Sequence, residues 1–188
     1  MPRLYVVIAS TRPGRAGLPI GSWFHDFARR HARFETTLVD LAQVNLPFLD
    51  EPKHPRLGQY EQAHTKAWSA TIDAADAFVF VTPEYNYGAP PTLINALDYL
   101  HREWQYKPVG FVSYGGPAGA ARSVAMTKQV VTALKMMPMF EAVTIPLFTQ
   151  YLKDGVFSPT EHHEKAATVM LDELLRWTEA LTALRRPS

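Results

Sequence analysis

The chain contains no cysteine in its 188 residues. That absence excludes disulfides, thiolate metal sites and cysteine nucleophiles, and it is compatible with a reducing compartment. Net charge is nearly absent as well: 19 Lys and Arg stand against 18 Asp and Glu, leaving +1. So even a balance supplies no field for nucleic acid or for an acidic substrate. Long hydrophobic runs are missing too. The apolar stretch Leu4–Ala9 is far too short to cross a bilayer, and no signal-peptide cleavage pattern follows it. A soluble, cytoplasmic protein without nucleic-acid or membrane partners is expected. There is no internal repeat and no low-complexity tract, and the length suits one domain over residues 1–188.

What is present is an alternation. Leu4–Ala9 and Ala77–Val81 are continuous apolar runs, the pattern of strands buried on both faces. Thr36–Leu41, Pro108–Ser113 and Ala142–Ile145 read as three further strands. Helical spacing appears over Leu18–Arg33, Gln59–Ala75, Thr92–Arg102, Ala120–Met136 and Thr160–Leu184. A proline-bearing connection, Ala42–Gly58, is long enough to be functional or mobile. Strand and helix alternating five times predict an α/β fold: a doubly wound five-stranded parallel sheet, helices on both faces, of flavodoxin-like order 2-1-3-4-5. The general rule for such sheets places a ligand outside the carboxyl ends of the strands, beside the first and third.

Three segments of unusual composition fall at those ends. The first, Ser10-Thr11-Arg12-Pro13-Gly14-Arg15-Ala16-Gly17-Leu18-Pro19-Ile20, leaves a strand and enters a helix. Free amides at a helix start attract anions, Ser10 and Thr11 add hydroxyls, and Arg12 or Arg15 can fork onto phosphate oxygens. The same composition also describes a polar surface loop, and it matches neither a Walker loop nor a GxGxxG turn. The second, Pro83-Glu84-Tyr85-Asn86-Tyr87-Gly88, offers rings and an amide for a planar ligand, or else a rigid turn packed on the body. The third, Ser113-Tyr114-Gly115-Gly116, allows close backbone approach, or is a plain strand-to-helix turn.

The stretch Pro83-Glu84-Tyr85-Asn86-Tyr87-Gly88-Ala89-Pro90-Pro91-Thr92-Leu93-Ile94-Asn95-Ala96-Leu97-Asp98 resembles the signature of NADPH-dependent FMN reductases. The resemblance continues in Ser10–Ile20 and Ser113–Gly116 and spans nearly the whole chain. It implies bound FMN, with NADPH or NADH as co-substrate and hydride transfer to the flavin. Transfer to a small acceptor would follow by a ping-pong sequence: a flavin, quinone, azo compound or metal oxyanion. It implies that Ser10, Thr11, Arg12, Gly17, Leu18, Pro19 and Ile20 surround the phosphate. Pro83, Glu84, Tyr85 and Asn86 would lie along the isoalloxazine, with Ser113, Tyr114, Gly115 and Gly116 on its other edge. No catalytic side chain is required, because the flavin carries the hydride chemistry.

Two positions depart from the pattern. Gly17 stands where many members carry a serine or other hydroxyl residue, and Ile94 where many carry lysine. A homodimer or homotetramer is also implied, with an interface expected near Leu97–Trp104. The four tryptophans read as packing or interface residues, and His162-His163-Glu164 as a helix start rather than a metal site. An electron-carrying flavodoxin, a non-redox binding module and a protein binding another phosphate remain competing readings.

Overall fold

The computed structural model describes residues 1–185. Five strands form one parallel sheet: β1 (Arg3–Ile8), β2 (Glu35–Asp40), β3 (Ala77–Pro83), β4 (Pro108–Tyr114) and β5 (Met137–Ile145). Their order is β2-β1-β3-β4-β5, as predicted. The connecting helices are α1 (Gly17–His31), α2 (Leu41–Val44), α3 (Ala63–Asp73), α4 (Pro91–Asp98), α5 (Ala121–Ala133) and α6 (Glu161–Arg185). A two-stranded hairpin, β6 (Leu152–Lys153) with β7 (Val156–Phe157), lies between β5 and α6.

β3 and β4 are buried along their whole length, which accounts for their unbroken apolar runs. One face of the sheet packs on α1 and α6 through Val6, Phe24, Val79, Met170 and Leu174. The other packs on α3, α4 and the turn after it, through Phe78, Phe80, Trp68, Leu97 and Trp104. Trp104 sits 5.0 Å from Phe78 and 6.1 Å from Trp68, ring centre to ring centre.

That cluster corrects one expectation. Leu97, Tyr99, Leu100, Glu103 and Trp104 are buried in the chain's own core, so the aromatic stretch does not present an apolar face to a partner. Its exposed side chains are Asp98 and Arg102.

Element bounds also differ. The helix predicted over Thr92–Arg102 ends at Asp98, and Arg102–Trp104 form a separate 3-10 turn. The fifth strand starts at Met137, not Ala142. Its first half hides from pattern reading because it carries Pro138 and is out of register with β4 between Val109 and Phe111. An edge strand tolerates both. Among the described residues no helix is long and apolar enough to cross a membrane.

Candidate functional site

Because the sheet is all parallel, every strand ends on the same side, and the loops after β1, β3 and β4 meet there. They enclose a cavity of about 340 Å³ lined by Arg12, Arg15, Tyr85, Tyr114, Gly116 and Phe148, among others.

The β1–α1 loop brings two arginines with different fates. Arg15 pairs with Asp40, the buried residue that ends β2 and caps α2 through the Ala42 amide. Its Nε is nonetheless buried without a partner among the described residues. Arg12 is exposed and makes no ion pair among the described residues. α1 begins with no side-chain cap and no acidic residue in its first turn. The cavity lining reaches Arg15 and Ala16, the residue before α1, so an uncapped helix start and a spare guanidinium N–H lie beside one end of it, the chemistry of an anion site.

The β3–α4 loop is a tight hairpin. Tyr85 and Gly88 exchange both backbone hydrogen bonds (3.0 and 2.9 Å), and the two residues between them have positive φ, Asn86 at 49° and Tyr87 at 69°. That is the signature of a type I′ turn, in which asparagine is at ease and tyrosine is not. Arg122 of α5 holds the turn. Its Nε donates to Glu84 at 2.7 Å, its backbone N–H donates to the same carboxylate at 3.0 Å, and its guanidinium lies 4.0 Å from the Tyr87 ring centre. Burial raises the Glu84 carboxyl, but the hydrogen bonds and charge of Arg122 outweigh it and hold the group below the ordinary range. Glu84 is thus an acceptor already engaged, capping α5 from a neighbouring loop.

The β4–α5 turn closes the remaining side. A Cβ on Gly115 would stand 3.0 Å from the Ala120 amide, whereas one on Gly116 would meet nothing within 4 Å. The carbonyls of Gly115 and Gly116 accept from Phe148 and Leu147, tying this turn to the segment after β5. Through that link Phe148 and Leu152 become cavity walls. The sequence reading missed both. The only local signal was their place just past a strand end.

Of the predicted residues, Arg12, Pro83, Glu84, Tyr85, Tyr114, Gly115 and Gly116 line this cavity. Asn86 stands exposed at the turn's apex. The others are placed elsewhere. Ser10, Gly17, Ile20 and Ser113 are buried beneath the cavity. Thr11 faces a neighbouring depression between α2 and α4, with Asn45 and Asn95. Leu18 and Pro19 face a third, beside Trp23 and the β6–β7 hairpin. For Gly17, Leu18, Pro19 and Ile20 helix geometry explains this, since successive residues of a first turn point to different sides.

His163 is buried, accepts from the Thr160 N–H at 3.1 Å and packs edge-on against Tyr151. Among the described residues no group of three or more His, Asp or Glu is placed to hold a metal ion.

The residues present fit a flavin mononucleotide: an anion-attracting end with an orphaned guanidinium N–H, a tyrosine-walled middle, and a glycine edge that leaves backbone exposed. Comparisons with known proteins agree with that fit. The family model described as NADPH-dependent FMN reductase matches residues 2–150. An NAD(P)H-dependent FMN reductase of Schizosaccharomyces pombe is 40% identical over 168 residues, covering 87% of this chain and 82% of its own. An NAD(P)H:quinone oxidoreductase of Solanum tuberosum is 31% identical, covering 73% and 72%. In fold, the chain is similar to the flavoenzyme NAD(P)H:(acceptor) oxidoreductase FerB from Paracoccus denitrificans, with a TM-score of 0.74, 21% identity and coverage of 96% and 98%.

Proposed function

The chain belongs to the NADPH-dependent FMN reductase family, and from that premise we propose that its three-loop cavity holds FMN and alternately admits a nicotinamide and a small oxidised acceptor. The enzyme is an FMN-dependent NAD(P)H oxidoreductase.

When bound, FMN supplies the hydride-accepting and hydride-donating chemistry. The chain's own residues bind and orient. Arg12 and the first amides of α1 take the phosphate, with Arg15 held in place by Asp40 and offering its Nε. Tyr85 and the Pro83–Gly88 turn form a wall for the ring, fixed in position by the Glu84–Arg122 clamp. Gly115 and Gly116 offer backbone at the ring's far edge.

No cavity side chain is poised as an acid or base. Glu84 is engaged by Arg122, and burial keeps the Tyr114 phenol neutral well beyond its ordinary range. Selection of the acceptor therefore falls to shape, and one open face serves donor and acceptor in turn, a ping-pong order. We take quinones as the acceptor class, since a planar ring can stack on the open face of the flavin and the proton that accompanies the hydride can come from water rather than from the protein. We place the enzyme in the cytoplasm as a homo-oligomer; exposed Phe48 and Leu49 are the apolar side chains near α4 left for a partner.

The observation that carries this reading is the convergence of Arg12, Tyr85, Tyr114 and Gly116 on one cavity. The test is to load the purified chain with FMN, bleach it anaerobically with NADPH, then add a quinone. Parallel lines in a two-substrate rate plot are expected. Intersecting lines would reject the alternating order, and a protein that takes up no FMN would reject the site. Light scattering that returns a monomer at micromolar concentration would reject the assembly.

A further inference from the structure

Gly17 has no backbone reason to be glycine, since its φ lies outside the left-handed region. The reason is space. A Cβ there would lie 2.2 Å from the Ser10 Oγ, 2.6 Å from the Tyr114 hydroxyl and 3.3 Å from the Ile8 Cγ2. Two hydroxyls therefore occupy the volume that a side chain at this position would fill. They are bonded to each other: Tyr114 donates to Ser10 Oγ at 3.1 Å, across 104 residues of sequence.

The phenol comes from the sheet side. Tyr114 ends β4, is 4% exposed, lines the cavity and packs edge-on against Phe148 at 5.4 Å. Its ring belongs to the wall, and its hydroxyl reaches under the β1–α1 loop. Tyr114 donates, so the Ser10 oxygen is the acceptor in this pair and the Ser10 proton is not spent in it.

We infer that Tyr114 is a positioning residue for the phosphate end of the cofactor: it acts through Ser10, supplies from β4 the hydroxyl that the loop lacks at position 17, and requires glycine there for room. The inference rests on the FMN reading above and moves Tyr114 from the ring's edge to the anion end. It also explains how Gly17 coexists with an intact anion site.

The test uses the full chain freed of flavin. Binding of FMN and of riboflavin, which has the same ring and no phosphate, is titrated by fluorescence in the wild type, Tyr114→Phe, Gly17→Ser and the double variant. Tyr114→Phe keeps the ring in the wall and removes one buried hydrogen bond, so FMN affinity should fall about tenfold with riboflavin unchanged. The ³¹P resonance of bound FMN should shift as well. Gly17→Ser alone should weaken FMN binding by crowding the two hydroxyls, and the double variant should bind FMN better than Gly17→Ser. Equal losses for both flavins in Tyr114→Phe, or no loss for either, would overturn the inference while leaving the FMN site standing. A wild type that binds neither flavin would overturn both. Tyr114→Phe decides the matter alone if Gly17→Ser does not fold.

Discussion

Replacing Arg122 by alanine should separate the clamp from the turn it holds. The substitution removes the guanidinium from Glu84, whose side chain is only 9% exposed, and from the Tyr87 ring at 4.0 Å. The backbone N–H of residue 122 still reaches the carboxylate, so the loss is partial. Hydrogen bonds to a charged group contribute ~1.5–3 kcal/mol. Half of the Arg122 side chain lies in water, which pulls the value to the lower end. The cation–π contact adds about 0.5 kcal/mol at such a site. A cost of about 2 kcal/mol follows, or roughly 4–8 °C in the melting midpoint of a domain this size.

Thermal unfolding followed by circular dichroism reads that shift, and its pH dependence is the sharper check. The Glu84 carboxyl titrates below its ordinary value in the folded state, so its stabilisation is full above the unfolded value and is lost as pH falls through the folded one. The gap between wild type and Arg122→Ala should therefore narrow as pH falls below the ordinary carboxylate range. Combining Arg122→Ala with Glu84→Gln should cost less than the sum of the two, by about 1 kcal/mol. A gap that persists undiminished in acid, or strict additivity, would show that the ion pair does not hold the turn.

Three further outcomes are expected. Arg12→Gln should weaken FMN about tenfold, spare riboflavin and leave the melting midpoint in place, whereas Arg15→Gln, which removes the spare Nε and leaves buried Asp40 without its cation, should weaken FMN and lower the midpoint as well; an Arg15→Gln chain that melts with the wild type would refute the distinction. Lys107 is buried, donates to the Ile72 and Asp73 carbonyls, and is brought down to about 8 by burial. The folded chain gives up that proton before the unfolded chain does, so stability to urea should rise from about pH 8 to 10 and this rise should vanish in Lys107→Met. Above pH 10 the trend should reverse, because Tyr99, lifted to about 12 by burial and Asp50, holds its proton only when folded. Finally, a Cβ on Gly21 would stand 2.6 Å from Ile8 Cγ1, so Gly21→Ala should cost ~1–3 kcal/mol, and Ile8→Ala in the same chain should relieve part of it; a denaturation midpoint unaffected by Gly21→Ala would contradict that packing.

The fold was legible because parallel strands buried on both faces have little choice of composition. Ala77–Val81 and Pro108–Ser113 announce themselves, and the handedness of the crossovers then restricts the order. The site's location followed from the same logic, since strand ends on one side bring their loops together. What escaped were pairings made only in three dimensions. Nothing near Arg15 in sequence announces Asp40, and nothing near Tyr114 announces Ser10. The stretch Leu97–Trp104 misled for a related reason: aromatic density does not say which way the rings turn, and here Trp68 and Phe78 were waiting inside. The β6–β7 hairpin, two residues per strand, is shorter than any periodicity can register.

The outer edge of β5 has a consequence for how copies of the chain can meet. Pro138 deprives that edge of an amide, and the irregularity beside Gly110 breaks its register. The Met139 carbonyl is already taken by Lys128 Nζ at 2.7 Å. An incoming strand would find its template interrupted along the first half of β5. The sheet cannot easily be extended there from one molecule into the next. Growth of β-structure along this half of β5 is hindered, and contacts there are left to side chains such as the exposed Phe140.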